Sequence, residues 1–148
     1  MSGDLTSLIT PDTTIKVSST LDKSVGKKYL VDNNPETCWT SQPGLPQHVQ
    51  LTFAERVIPK RILLTFQGGF VGTQCSLHVE SETEGKKVWR HWTSIYPEDV
   101  NRRQAFDLPP FDLDTGTGSL KLVFEQSSDF FGRITVYDLK MEGTIAAT

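Results

Sequence analysis

Apolar and polar residues alternate in short segments along almost the whole sequence, and this alternation restricts the fold more than any other feature. It is clearest in VQLTF at 49–53, QCSLHV at 74–79 and SLKLVF at 119–124. A period of two residues is that of a β-strand with one buried face, and no stretch of a dozen residues has the spacing of an amphipathic helix. Eight segments are predicted as strands: Thr13–Ser18, Val49–Phe53, Arg61–Phe66, Gln74–Val79, Val88–Tyr96, Gln104–Leu108, Ser119–Phe124 and Arg133–Met141.

The connections between these segments are rich in Gly, Pro, Asp and Asn. Many short strands separated by turn residues predict an all-β fold, a single-domain antiparallel β-sandwich of the jelly-roll type. The last predicted strand has one irregularity. Ile134 and Val136 share one parity, whereas Leu139 and Met141 share the other. A β-bulge, which adds one residue to a strand, produces such a switch.

The length of 148 residues is that of one domain, and the sequence contains no internal repeat or linker. We predict one domain at 13–143, with short tails at 1–12 and 144–148. The 15 basic and 18 acidic residues give a net charge of −3, which disfavours a nucleic-acid-binding protein. The longest aliphatic run, Ile62–Leu64, is far shorter than the roughly 18 residues of a membrane-spanning helix.

Residues 1–14 lack the basic and apolar regions of a signal peptide. The sequence has two cysteines, Cys38 and Cys75, and none of its asparagines starts an Asn-x-Ser/Thr glycosylation site. Secreted domains commonly carry disulfides or such sites. We therefore expect an intracellular protein of the nucleus or the cytoplasm.

Sequence motifs of catalysis are missing. The chain has no G-x-S-x-G nucleophile turn, no H-E-x-x-H metal motif and no phosphate-binding G-x-x-x-x-G-K loop. His48, His78 and His91 stand in no context that suggests proton transfer. Cys75 and His78 are three residues apart on a predicted strand, so their side chains would point to opposite faces and could not share a zinc ion. We expect a protein that is not an enzyme.

The segment Leu30–Ser41, LVDNNPETCWTS, carries the densest group of polar turn residues. Asp and Asn side-chain oxygens followed by a Thr hydroxyl can surround a hard cation such as calcium. The same groups can also bond to their own backbone in Asx turns without any ion. Trp39 is expected to anchor the segment in the core, because its indole covers a large apolar area.

The same segment resembles the L-x-D-G-N-x-x-T-x-W-x-S signature of discoidin domains, also called factor V/VIII type C or galactose-binding-like domains. Three further segments resemble family elements in the family's order: Val17–Ser19, Gln47–Leu51 and Val136–Gly143. The resemblance implies a jelly-roll binding domain. It also implies a possible structural calcium site at Asp32, Asn34, Thr37 and Asp138, where Asp138 is shorter than the family's usual glutamate and reaches less far.

Phe66–Phe70, Tyr96–Asp99 and Asp129–Arg133 are similar to a small intracellular branch of this family that associates with a nuclear receptor. That resemblance implies a non-catalytic module that acts by protein–protein interaction. Its partner would be a nuclear receptor whose transcriptional activity it modulates, or a larger multi-subunit assembly. The alternative from the wider family is a lectin-like domain that binds carbohydrate or lipid, which is an argument from fold alone.

The resemblance places the binding loops at one end of the sandwich, at Thr20–Lys28, Gln42–Gln47 and Gln67–Thr73, bordered by Gln126–Phe131. Loops on a rigid scaffold are suited to recognition. In an extended chain, one of the adjacent Phe130 and Phe131 would point inward and the other outward. The residues predicted to contact a partner are Lys23, Lys27, Lys28, Gln42, Gln67, Phe70, Phe130 and Arg133.

Overall fold

The computed structural model of the chain describes residues 5–111 and 115–146. Within this part the backbone forms nine strands and two short 3₁₀ helices, at Lys23–Val25 and Lys27–Leu30. The strands are β1 (Thr6–Ser7), β2 (Thr14–Val17), β3 (Trp39–Thr40), β4 (Gln47–Phe66), β5 (Gln74–Thr83), β6 (Lys86–Ile95), β7 (Arg103–Asp107), β8 (Thr117–Gln126) and β9 (Thr135–Ile145). The prediction of an all-β, antiparallel jelly-roll fold is confirmed.

Strand β4 belongs to both layers of the sandwich. Its first part, Gln47–Thr52, pairs with β2 on one side and β8 on the other. Its second part, Val57–Phe66, pairs with β9 and β7. The register with β8 shifts between Thr52 and Val57. The predicted strands at 49–53 and 61–66 are therefore two halves of one long strand. The front layer is β2-β4-β8-β5-β6, and the back layer contains β1, β3, β9, β4 and β7.

The core lies between these layers and contains alternating apolar residues of most of the predicted strands, whereas Val88 and Tyr96 of the predicted strand Val88–Tyr96 are exposed. Leu51, Leu64, Leu77 and Leu122 are all fully or almost fully buried. The rings of Phe66 from the back layer and Phe124 from the front layer meet edge to face, with centroids 5.8 Å apart. Edge-to-face packing is favourable because the positive ring edge meets the negative ring face.

The predicted β-bulge in β9 is confirmed. Thr65 pairs with Asp138, but the next residue of β4, Phe66, pairs with Val136. Tyr137 is therefore the extra residue. Val136 before it and Leu139 after it both lie in the core. The bulge keeps apolar side chains inward on both of its sides and leaves Tyr137 and Asp138 on the outer face.

Strand pairing extends beyond residues 13–143, the predicted domain, at both ends. Thr6–Ser7 pairs with Glu142 and Gly143 in β9, and Leu8 belongs to the core. At the other end Thr144 and Ile145 pair with β4. Residues 1–4 and 147–148 of the predicted tails lie outside the described residues. No helix in the described part is long and apolar enough to cross a membrane.

Replacing Phe124 by alanine tests the core. Phe124 is 0% exposed, so Phe124→Ala should lower the free energy of unfolding by about 3–5 kcal/mol. Phe130→Ala removes the same atoms from a side chain that is 94% exposed, and should change the free energy of unfolding by less than about 0.5 kcal/mol. Urea unfolding curves of the two variants measure both values. Equal losses would contradict the assignment of Phe124 to the core.

Candidate functional site

Four loops come together at one end of the sandwich, and we call residues 42–46, 67–73, 97–101 and 126–134 the loop end. The Gly44 N–H donates to the Phe131 carbonyl oxygen at 2.8 Å. The Val71 N–H donates to Ser128 Oγ and the Ser128 N–H donates to the Val71 carbonyl, both at 2.9 Å. The Gly68 N–H donates to Asn101 Oδ1 at 2.5 Å. These bonds connect the four loops into one surface. It contains three of the segments predicted at this end, 42–47, 67–73 and 126–131, whereas the fourth, Thr20–Lys28, is joined to it at Thr20 and Leu21 by Gln42.

A buried amide fixes the first of these loops. Gln47 Oε1 accepts hydrogen bonds from Ser18 Oγ at 2.5 Å and Ser19 Oγ at 2.7 Å. Its Nε2 donates to the carbonyls of Gln42 at 3.1 Å and Gly44 at 2.7 Å. Because both ends of the buried amide are satisfied, moving this loop would break several bonds at once.

The side chain of Gln42, predicted to contact a partner, is directed into the protein's own backbone. Its Nε2 donates to the carbonyl oxygens of Thr20 at 2.9 Å and Leu21 at 3.2 Å. Gln42 thereby ties the segment 20–21 to the loop end. Gln67 contributes through its backbone, whose N–H donates to the Thr135 carbonyl and whose carbonyl accepts from the Phe70 N–H.

The turn at residues 129–133 is closed by an ion pair. Asp129 Oδ2 accepts from the Arg133 backbone N–H at 3.0 Å and from Arg133 Nε at 2.9 Å, and Oδ1 accepts from Nη2 at 3.2 Å. These bonds lower the pKa of Asp129 and raise that of Arg133. Gly132 has a φ of 82°, a conformation that glycine adopts without a Cβ penalty. Arg133 therefore holds the turn, and its charge already has a partner.

This turn carries the most exposed aromatic pair of the described chain. Phe130 is 94% and Phe131 61% exposed, and their ring centroids are 5.2 Å apart. The expectation that one ring points inward is wrong, because the chain turns at this point and is not extended. The Arg133 guanidinium lies 5.0 Å from the Phe70 ring centroid and 5.7 Å from that of Phe131. Phe70, Phe130 and Arg133, predicted together, are thus brought together.

The three predicted lysines are exposed on the two 3₁₀ helices. Lys23 lies on the first helix, and Lys27 and Lys28 lie on the second. The Lys28 ammonium is 5.1 Å from the Tyr29 ring centroid. It also contributes to the lowered pKa of Asp32, whose largest cause is the hydrogen bond from Thr37. Lys28 is therefore directed toward the Asp32 segment.

The Asp32 segment bonds to itself, which is the ion-free alternative that its sequence allows. Thr37 Oγ1 donates to Asp32 Oδ2 at 2.6 Å, and the Asn34 N–H donates to Asp32 Oδ1 at 3.0 Å. The Glu36 N–H donates to Asn34 Oδ1 at 2.9 Å. Three oxygens proposed as metal ligands are thus engaged with protein donors.

A lysine stands between this segment and the last strand. Lys140 Nζ donates to Asn33 Oδ1 at 2.6 Å and lies 3.4 Å from Asp138 Oδ2, which Arg103 Nη2 approaches at 3.9 Å. In the described part of the chain no three His, Cys, Asp or Glu side chains form a group that could hold a metal ion. A calcium ion at this site stays a prediction. The predicted ligands do not fit it, because the carboxylate of Asp138 already faces two cations.

Sequence reasoning missed the residues that join the loops. Asp99 Oδ1 accepts from the Gly69 N–H at 2.7 Å and from Ser128 Oγ at 3.1 Å, and Asn101 accepts from Gly68. These partners are about thirty residues apart, and no local pattern links them. The role of Asp129 could have been predicted from the sequence, because an Asp three residues before a Gly is typical of a type I β-turn.

The chain is similar to curated proteins over almost its full length. It is 45% identical over 140 residues to the nuclear receptor 2C2-associated protein of Danio rerio, which covers 93% of this chain and 95% of that protein. The relatives from Mus musculus and Homo sapiens are 39% and 36% identical, with coverage of 93% of this chain and at least 95% of each relative. The chain belongs to the nuclear receptor 2C2-associated protein family. No family model matches it.

Solved structures of other proteins share the fold of this member of the nuclear receptor 2C2-associated protein family. The family 32 carbohydrate-binding module of Clostridium perfringens NanJ, in complex with galactose, superposes with a TM-score of 0.76 at 17% identity. The superposition covers 94% of this chain and 99% of the NanJ module. A second module from Clostridium perfringens, in complex with GalNAc-β-1,3-galactose, has a TM-score of 0.72 at 18% identity and covers 92% and 99%. At such identities the likeness is one of fold.

Removing the turn's carboxylate should make stability less dependent on pH. The lowered pKa of Asp129 stabilises the fold fully above the ordinary carboxyl value of 3.8, and this contribution is lost as the pH falls through the native value. Asp129→Asn should therefore destabilise clearly at pH 6 and much less at pH 2. Urea unfolding at both pH values measures the difference.

Asp107→Asn, which removes the exposed ion pair with Arg61, is the control and should have a small effect at either pH. An equal cost of Asp129→Asn at pH 6 and pH 2 would contradict the role of its charge.

Calcium should leave thermal stability unchanged, because Lys140 and Arg103 face Asp138. About 10 mM calcium exceeds the dissociation constant of even weak sites, near 10⁻³ M, about tenfold, and would then stabilise a calcium-binding fold by about 1.4 kcal/mol. Unfolding midpoints in calcium and in EDTA test this. A rise in the wild type that Asp32→Ala abolishes would establish a calcium site.

Proposed function

We propose that this protein is a non-catalytic, intracellular binding module that acts by protein–protein interaction through the loop end, with a nuclear receptor as partner. The names of the relatives at 36–45% identity support the partner class. The observation that carries the proposed surface is the pair of exposed rings at Phe130 and Phe131. Exposed aromatic side chains on a folded surface commonly mark an interface.

The pair is held in place before a partner arrives. The Asp129–Arg133 bonds close the turn from both sides, and the Phe131 carbonyl accepts from the Gly44 N–H. A rigid turn loses little conformational entropy on binding, so more of the energy of burying the rings is available for affinity. Arg133 acts here as a positioning residue, and the phenylalanines would supply the contact area.

A recess beside the turn that carries the rings extends this surface. Leu45 is 41% exposed, and a Cβ on Gly132 would lie only 3.1 Å from its Cγ. Leu45 and Pro46 line a recess of about 350 Å³ together with Val123 and Glu125 of β8. Two protruding rings beside a recess favour a partner with an apolar side chain that fills the recess while its flanks cover the rings.

The alternative is a carbohydrate-binding function. The solved structures in complex with galactose and with GalNAc-β-1,3-galactose share the fold. An aromatic ring beside an arginine, as at Phe70, Phe131 and Arg133, is also the chemistry that recognises a sugar. The protein partner is favoured because the relatives named for it are at least twice as identical to this chain as the sugar-binding structures.

A binding assay with a purified nuclear receptor 2C2 tests the proposal. The double variant Phe130→Ala/Phe131→Ala should weaken the binding about tenfold or more, because central aromatic residues dominate interface energies. Trp89→Ala removes an exposed aromatic ring from the front layer, where Lys121 covers it, and should change binding less than twofold. Biolayer interferometry gives the dissociation constants, and circular dichroism checks that both variants are folded.

Equal effects of the two variants would contradict the loop end as the docking surface. A wild-type protein that binds no receptor but binds galactose on a glycan array, with loss in the double variant, would replace the protein partner by the carbohydrate alternative.

A further inference from the structure

A second recess, of about 390 Å³, lies on the outer face of the back layer, between β9 and the Asp32 segment. This volume is within the range of small-molecule sites. It touches the loop end only at Asn101. The amide and charged side chains that line it include those of Asn34, Asn101, Arg103, Asp138 and Lys140, and Tyr137 also lines the recess.

Asp138 gives this recess an acceptor without a donor. Its Oδ2 faces both cations, Lys140 Nζ at 3.4 Å and Arg103 Nη2 at 3.9 Å. Its Oδ1 is the one buried side-chain oxygen or nitrogen in the described residues that has no hydrogen-bond partner. A buried carboxylate oxygen without a donor is costly, so a group that donates to it gains more than it would in water.

The other polar groups of the recess are donors. Asn101 Oδ1 accepts from the Gly68 N–H and Asn34 Oδ1 accepts from the Glu36 N–H, so each amide keeps its NH₂ group for the recess. The Arg103 guanidinium has five N–H groups, and its contact with Asp138 is long. Two cations against one carboxylate leave a local charge of about +1.

We propose that this recess binds a small anion that also carries a hydroxyl group, namely a sugar acid or a sugar phosphate. Arg103 and the Asn101 amide would bind the anionic group, since a guanidinium matches carboxylate and phosphate geometry. A ligand hydroxyl would donate to Asp138 Oδ1. Because Asp138 Oδ1 is itself buried, a neighbouring side chain has to shift to admit this hydroxyl, and Arg103, 56% exposed on the edge strand β7, is the neighbour that lies at the surface.

An NMR titration of the ¹⁵N-labelled full-length protein tests the proposal with four probes. Glucuronate and glucose 6-phosphate carry both an anion and hydroxyls, glucose lacks the anion, and acetate lacks the hydroxyl. We expect the two hydroxylated anions to shift the amide signals of residues 101–103 and 137–140, and to bind at least about tenfold more tightly than glucose or acetate. The stronger of the two identifies carboxylate or phosphate as the anionic group.

Variants at the recess separate its two binding groups. Arg103→Gln should weaken glucuronate binding about tenfold or more, whereas Arg102→Gln, at an exposed neighbour paired with Glu98, should leave it unchanged. Asp138→Asn should abolish the preference for glucuronate over acetate, because Lys140 and Arg103 hold the amide oxygen and an NH₂ group then replaces the hydroxyl acceptor, while the repulsion of plain anions is relieved. Phe130→Ala/Phe131→Ala should leave all four affinities unchanged, so this site is tested apart from the loop end.

Four results would overturn the proposal. The first is a wild-type protein whose signals no probe shifts at about 20 mM, a concentration far above the dissociation constant of a weak site. The second is glucose that binds as tightly as glucuronate, and the third is a set of shifts confined to the loop end. The fourth is an equal loss of glucuronate binding in Arg102→Gln and Arg103→Gln.

Discussion

The passage of β4 through both layers is the constraint on which the rest of the structure depends. One strand of 20 residues pairs with β2 and β8 in its first part and with β9 and β7 in its second. The two layers therefore cannot slide past each other without breaking one of these ladders. Phe66 at the end of β4 meets Phe124 of β8 across the core, so packing and backbone pairing fix the same relative position.

The loop end follows from this constraint. Gln47 begins β4 and Phe66 ends it, and the strand changes layers at the register shift between Thr52 and Val57. Both of its ends therefore lie beside residues 131–135, where the loops at 42–46 and 67–73 are attached. β9 begins just after the Asp129 turn, and the Gln67 N–H donates to the Thr135 carbonyl. Rigid strands thus fix where each loop starts. The side chains of Asp99, which accepts a backbone hydrogen bond, and of Gln47, which donates to backbone carbonyls, fix how the loops continue.

The sequence was sufficient for the parts of the fold that local chemistry decides. A period of two identifies the strands, and the parity switch at Val136 and Leu139 identifies the bulge. β1 and β3 were missed because two residues are too few to show a period. The exposure of both Phe130 and Phe131 was missed because it depends on the turn that Asp129 and Gly132 form. The link from Asp99 to Gly69 was out of reach, since tertiary pairing alone brings them together.

Two aspartates with arginine neighbours show how similar groups serve different ends. Both carboxylate oxygens of Asp129 accept hydrogen bonds from Arg133, and the result is a rigid turn that presents apolar rings. Asp138 holds Arg103 and Lys140 with one oxygen and leaves the other without a donor. A satisfied carboxylate supports its neighbours, whereas an unsatisfied one in a recess favours a ligand that completes it. The first arrangement therefore suits a protein surface and the second suits a small polar molecule, so one sandwich can carry two separate binding sites.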